Sequence, residues 1–303
     1  MRFLLLIGMA LFAACHSLPP LPAWQAPEGR QDAELGVIRD LRSGATLTPN
    51  QLVERLARSP RVLVGEQHDN PDHHALQVWL LQAMAERRRQ GSLLLEMLQP
   101  DQQVRVDALK AEFAAGREPQ ALPERLAWQK GWDWAQYGPL VRYALTQPYP
   151  LLAANLDSQE IRRIYAERPT LEGRASTAAS VQEALLAQIG ASHCGMLPKS
   201  QWPAMLAVQQ QRDRRMAERL LAAPAPALLV AGAYHVRRDQ GVPRHLMDLG
   251  GEPGSLVLLL AEIGSRVRAD EADLVWFTPG VEKKDYCADM RAKKDPAEPG
   301  RKP

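Results

Sequence analysis

The sequence predicts an α/β fold: a mainly parallel central sheet flanked by helices, with a helical insertion after the second strand. Three observations predict it. Six short apolar runs, at 62–65, 93–97, 151–154, 228–231, 256–261 and 274–277, read as buried strands rather than helices, because each is only four to six residues long. Amphipathic stretches alternate with them, as in a parallel sheet covered on both faces. The interval 98–148 contains no strand signal and reads as the helical insertion.

The elements follow in order. Thr48-Pro-Asn-Gln-Leu-Val-Glu-Arg-Leu opens a helix, with Thr48 placed to cap and Pro49 in the first turn. The first strand follows at 62–65. A helix is expected over 73–89, where Leu76, Trp79, Leu80 and Ala83 are spaced for one face. The insertion contains Trp128-Gln-Lys-Gly-Trp-Asp-Trp-Ala-Gln-Tyr137, an aromatic run of the kind that packs an insertion against a body. A long helix is expected over 198–221, and Gln209-Gln-Gln-Arg-Asp-Arg-Arg gives it a strongly charged face, which reads as solvated or as an Arg–Asp pair buried across the pocket. The α/β domain is expected to span 41–280.

The two ends differ from the body. Arg2, an apolar core over 3–14 and small residues before Cys15 have the form of a secretory signal. Leu11-Phe-Ala-Ala-Cys15 resembles the bacterial lipobox, with Phe12 where leucine is more usual. That resemblance implies cleavage after residue 14 and acylation of Cys15, which would anchor the protein to a bilayer. His16, rather than aspartate, follows the cysteine and implies the bacterial outer membrane. Residues 15–40 begin Cys-His-Ser-Leu-Pro-Pro-Leu-Pro and read as an extended tether. Residues 281–303 carry seven Lys/Arg and five Asp/Glu and read as a disordered, solvated tail. Loss of residues 1–14 removes one charged residue, Arg2, so the formal net charge falls from +2 to +1. That is no basic footprint, and it argues against nucleic acid as a partner. Cys194 and Cys287 would remain, free to pair in an oxidising compartment.

The densest chemistry lies where strands end. The first strand runs into Gly65-Glu-Gln-His-Asp-Asn70, and Asp72-His73-His74 follows at once. Side chains at i and i+2 of an extended chain point the same way, so Glu66 and His68 can share a pocket. Glu96 closes the second apolar run, and His235 follows the fourth within Ala231-Gly-Ala-Tyr-His235. Ligands of open α/β sheets sit beyond the carboxyl ends of strands. Glu66, His68, His73, His74, Glu96 and His235 therefore form the candidate polar pocket. Within it, Glu66, His68, Glu96 and His235 suit a divalent metal, yet no pair has a familiar metal-ligand spacing.

An ordered set of segments carries a family resemblance. It comprises Gly65-Glu-Gln-His-Asp-Asn70 with His73, His74 and Gln77; Glu96-Met-Leu98; Gly131-Trp-Asp-Trp134 with Tyr137; and Ala153-Ala-Asn-Leu156. It continues with His193-Cys-Gly-Met-Leu-Pro198, Gln211-Arg-Asp213 with Met216-Ala217, and Gly232 to His235 with Gly241-Val-Pro243. Together, over roughly 50–262, these resemble the ChaN-like haem-binding lipoproteins of bacteria. The resemblance implies haem as cofactor and a role in iron or haem acquisition, beside an outer-membrane haem receptor. It also implies a homodimer enclosing two stacked haems. Each iron would be held by a tyrosine of one subunit, with a histidine and a lysine of the other at the propionates. The aromatic run could then also line a porphyrin.

Carried onto this chain, the iron ligand is assigned to Tyr165, near a strand terminus and beside Arg162 and Arg163, which suits a tyrosinate. Tyr234, next to His235, is the runner-up. His193 and Lys199 are the expected propionate pair, the lysine through charge-assisted hydrogen bonds. A haem carrier needs no catalysis, so no enzymatic activity is expected under this reading. The alternative is a hydrolase. The Gly-Glu-x-His pattern with a distant histidine is similar to the erythromycin-esterase-like and TraB/Tiki-like group, where Glu and His would activate water.

Overall fold

The computed structural model describes residues 17–251 and 254–294. Cys15 and the apolar segment before it lie outside those residues. The strands are β1 (Ile38–Asp40), β2 (Thr46–Leu47), β3 (Arg61–Glu66), β4 (Ser92–Leu95), β5 (Leu151–Ala153), β6 (Ala227–Gly232), β7 (Ser255–Glu262) and β8 (Leu274–Thr278). They form one sheet in the order β2-β1-β8-β7-β3-β6-β4-β5. The six expected strands are the six that pair in parallel. β1 and β2 extend the β8 edge antiparallel. At three and two residues they are too short to show a periodicity.

Helices cover both faces. α1 (Pro49–Ala57) starts at a capping box in which Thr48 and Gln51 bond reciprocally. α2 (Pro71–Ala85) starts two residues earlier than expected, because Asn70 accepts from the backbone N–H groups of Asp72 and His73. The insertion carries α3 (Gln103–Ala114), α4 (Leu122–Arg125) and α5 (Trp134–Thr146). It packs with α1 and α2 in the larger core, through Leu52, Leu76, Leu80, Val106, Leu109 and Leu140. Beyond β5 come α6 (Ser158–Glu167), α7 (Ala179–Ser192), α8 (Trp202–Ala222), α9 (Ala233–Val236) and α10 (Val242–Asp248). Met216, Leu220, Val236, Val242 and Leu246 cover the other face against Leu63, Leu229 and Leu259.

This division positions the site. From β3 the chain crosses by α2 to β4, two strands away, and β6 later fills the gap. From β6 it leaves through α9 and α10 on the opposite face to reach β7. Neighbouring strands β3 and β6 therefore part at their carboxyl ends, and a crevice opens there.

Both flanking segments differ from expectation. The proline-rich stretch is extended but docked: Asp72 accepts from the Gln25 and Ala26 amides at 2.7 and 2.9 Å, and Trp79 donates to the Pro19 carbonyl at 2.9 Å. Prolines keep it from joining a sheet without keeping it off the surface. In the expected disordered tail, residues Tyr286–Lys294 form α11, and Cys287 is disulfide-bonded to Cys194 just past α7. The rest of the expected tail, 295–303, lies outside the described residues. Among the described residues no helix is long and apolar enough to cross a membrane.

Candidate functional site

Close approach at the end of β3 depends on Gly65. A Cβ there would meet Val236, Leu259 and the Ala233 backbone at 2.4, 2.5 and 3.0 Å, so only glycine lets α9 lie against the strand. The next residue, Glu66, is buried. Its Oε1 accepts from the Tyr137 hydroxyl at 2.9 Å and from His68 Nδ1–H at 2.6 Å. Burial and the Glu66 charge push the Tyr137 pKa far up, so this tyrosine stays a phenol. His68 has a side chain 48% exposed, and Trp132 meets its ring edge-on at 4.9 Å. Burial lowers the His68 pKa, but the hydrogen bond and charge of Glu66 outweigh it and raise the value.

The two helix-opening histidines support this arrangement from behind. His74 Nε2–H donates to the His68 carbonyl at 3.0 Å, and its ring packs on Tyr137 at 4.4 Å. His73 accepts at Nδ1 from the Gln67 amide and donates from Nε2 to the Thr278 hydroxyl, each at 2.9 Å. Those roles fix a neutral tautomer, and burial lowers the His73 pKa to about 3. His73 is thus a structural hydrogen-bonder and not a pocket ligand.

His235 occupies the opposite wall, on α9. Its Nδ1–H donates to Asp213 at 2.5 Å and its Nε2–H to Glu96 at 3.2 Å. Burial opposes its charge, yet the Glu96 and Asp213 carboxylates push its pKa up to about 10. Burial holds the Asp213 carboxyl up at about 6 against the pull of His235. Glu96 is also buried, but His235, His68 and the Gly232 amide, which donates to it at 2.8 Å, hold it well below the usual carboxylate range. As an imidazolium, His235 spends both N–H groups on these two carboxylates. Among the described residues no group of three His, Cys, Asp or Glu is arranged to hold a metal ion. The cluster is a network of compensated charges.

Gly232 sits between the two histidines. A Cβ there would lie 2.8 Å from His68 Cε1. Around this point a cavity of about 340 Å³ opens, walled by Gln67 and His68, by Ala233 and Tyr234, and by Gln188 and Ser192 of α7. Tyr234 stands 49% exposed at its mouth, with the Arg237 guanidinium 5.8 Å from the ring centre.

The expected haem-binding residues fall on two surfaces. Tyr234 lines the polar cavity. Tyr165 does not: it is half-buried on α6 against Leu156, Ile161, Ile164, Val208 and Ala207. His193 ends α7, its Nδ1–H donating to the Ile189 carbonyl at 2.8 Å, and Lys199 is exposed one turn before α8. α8 packs on both α6 and α7, so Tyr165, His193 and Lys199 all flank its first half. Beside Tyr165, past Ala207, a second cavity of about 480 Å³ opens, with apolar Leu171, Pro203 and Leu206 and polar Arg168, Gln182 and Gln210 in its lining; Tyr165, His193 and Lys199 do not line it.

Three residues at the cluster are absent from the pocket expected from the sequence. Asp213 lies within Arg212-Asp-Arg-Arg215, whose first reading is a solvated face, yet it is completely buried. Tyr137 was assigned to packing, which it does within the tryptophan cluster while its hydroxyl reaches Glu66. Gly232 stood only within the family motif, and its closeness to His68 exists only in three dimensions.

No curated protein matches the chain. Among solved structures it is similar to ChaN of Campylobacter jejuni, described as showing cofacial haem binding, at 27% identity and a TM-score of 0.74, over 80% of this chain and 97% of that one. An erythromycin esterase mutant in its open conformation shares 13% identity at a TM-score of 0.45, over 85% of this chain and 86% of that one. The sequence profile of the family described as haem-binding uptake, Tiki superfamily, ChaN matches residues 52–246. With two thirds of its length inside that profile and its sheet, crevice and buried cluster in the order the motifs required, the chain belongs to the ChaN family of haem-binding proteins.

Proposed function

We propose that this chain is a lipid-anchored haem carrier of the bacterial envelope, acting in haem or iron acquisition or storage. Family membership supports haem as the ligand. The tyrosines carry the fit. Tyr137 and Tyr149 are pushed up by burial, as is Tyr143 to a lesser degree, and the Tyr286 hydroxyl donates to Asp69. Tyr165 and Tyr234 keep hydroxyls with no bond to protein among the described residues, and both reach the surface. Tyr165 is the iron ligand in this reading. Its packing partners are apolar, the second cavity adjoins them through Ala207, and exposed Arg162 and Arg163 suit anionic propionates, as do His193 and Lys199. The bound group supplies a Lewis-acidic ferric centre that a tyrosinate can ligate.

A surface open on one side leaves a planar ligand half covered, which supports a homodimer closing over two haems. The sequence Leu11-Phe-Ala-Ala-Cys15 supports an anchor at Cys15 and an outer-membrane location. An outer-membrane haem receptor would be the natural donor. Titration of the purified chain with ferric haem, read by absorbance and sedimentation, tests this. Saturable binding with a shift to dimer is expected; a purely linear, non-saturating absorbance rise overturns it.

One observation favours a second reading. His68 keeps Nε2 free toward the cavity while buried Glu66 orients its other nitrogen, an arrangement suited to proton transfer. Hydrolysis of an ester or peptide substrate, abolished by Glu66→Ala and by His235→Ala, would establish it; absence of turnover across such substrates removes it.

A further inference from the structure

The Cys194–Cys287 crosslink is absorbed by neither reading, and its placement is specific. Cys194 lies two residues beyond Ser192, and Ser192 and Gln188 of α7 form one wall of the polar cavity. Cys287 lies in α11, and its neighbour Tyr286 donates to Asp69, next to His68 on the facing wall. The chain leading to α11 is held at the same end of the sheet, where Asn70 donates to the Pro279 carbonyl and the Val281 amide donates to Glu262, each at 2.9 Å. The C-terminal segment therefore runs from one wall of the cavity to the other, with the disulfide as its far anchor.

The bond does not staple the core. α7 packs chiefly on α8; its buried residues Val181, Leu185 and Ile189 belong to none of the clusters that line the sheet. α7 is also tied to the segment after α9, where the Gln240 side-chain amide donates to Gln188 at 2.9 Å. Tyr286 and Met290 of α11 are exposed. Elements with few core contacts open locally while the rest of a fold stays closed.

We propose that the Cys194–Cys287 disulfide is a redox latch on the Glu66–His68–His235 cavity. Oxidised, it holds the end of α7 in place as a wall. A dithiol reduces it by thiol–disulfide exchange: two electrons and two protons pass to the cysteines, the S–S bond becomes two thiols, and the dithiol leaves as its own disulfide. The end of α7 and the C-terminal segment then part, and the cavity opens. The latch acts on the polar cavity whether or not haem binds on the α6 and α8 surface.

Hydrogen exchange of the whole chain, read by mass spectrometry, tests this together with the rate of diethyl pyrocarbonate modification at His68. Three forms are compared: oxidised, reduced with dithiothreitol, and Cys287→Ser without reductant. The expected result is several-fold faster exchange at 186–194 and faster His68 modification in the last two forms, with β3 and β6 protected at the same labelling times. Unchanged exchange at 186–194 overturns the proposal. So does faster exchange there with unchanged His68 modification, since the bond would then hold the helix without governing the cavity. Loss of protection in β3 and β6 in step with α7 also overturns it, because the bond would then stabilise the whole fold.

Discussion

Glu96→Gln isolates the charge network at the sheet's end. The amide keeps the shape of Glu96 and can still accept from Gly232, but it removes the negative charge from His235 Nε2. His235 has its pKa raised from 6.5 to about 10. Its contribution to stability is therefore fully present below pH 6.5 and is lost as pH rises through 10. At about 1.36 kcal/mol per unit, that contribution is on the order of 5 kcal/mol. Breaking a buried pair by removing one partner costs roughly 3–5 kcal/mol. Urea unfolding should find the variant less stable by about that amount near pH 6. The gap should narrow steadily as pH approaches 10, where the wild-type imidazolium is deprotonating. A gap that is the same at both ends of this range would refute the reasoning, because Glu96 would then act by packing and not by holding charge on His235.

The same physics gives further expectations. His73 must stay neutral to accept from Gln67, and its pKa is lowered to about 3. The unfolded chain gains a proton below pH 6.5 that the folded chain refuses, so stability should fall as pH drops from 6.5 toward 3. His73→Gln should flatten that decline in urea titrations; an equally steep decline in the variant would refute it. Gly232→Ala places a methyl 2.8 Å from His68 Cε1, so it should push His68 from Glu66 at a cost of roughly 1–3 kcal/mol. The His68 pKa, followed by NMR, should then fall; an unaltered titration would show that the ring has room to yield.

The parallel strands were legible because they are buried on both faces and read as unbroken apolar runs: all six residues of β6 are buried. β1 and β2 were not, because their pairing is set by β8 and not by any local pattern. Glu66, His68, Glu96 and His235 were legible because each follows an apolar run at its carboxyl end. Asp213 was hidden in a basic stretch, since one buried carboxylate on a helix leaves no periodic trace. His73 read as a pocket residue because its identity in sequence says nothing about which hydrogen bonds are already taken. Cys194 and Cys287 are 93 residues apart, and only the fold brings their Cα atoms to 5.5 Å.

The central claim is that this chain binds haem through a surface tyrosinate, with Tyr165 as ligand. The most direct measurement is the absorbance spectrum of the ferric haem complex of the wild type, Tyr165→Phe and Tyr234→Phe. A tyrosinate-type spectrum lost in Tyr165→Phe and kept in Tyr234→Phe is the predicted result. Loss in Tyr234→Phe alone would move the haem to the polar cavity, and a spectrum that survives both substitutions would contradict tyrosine ligation altogether.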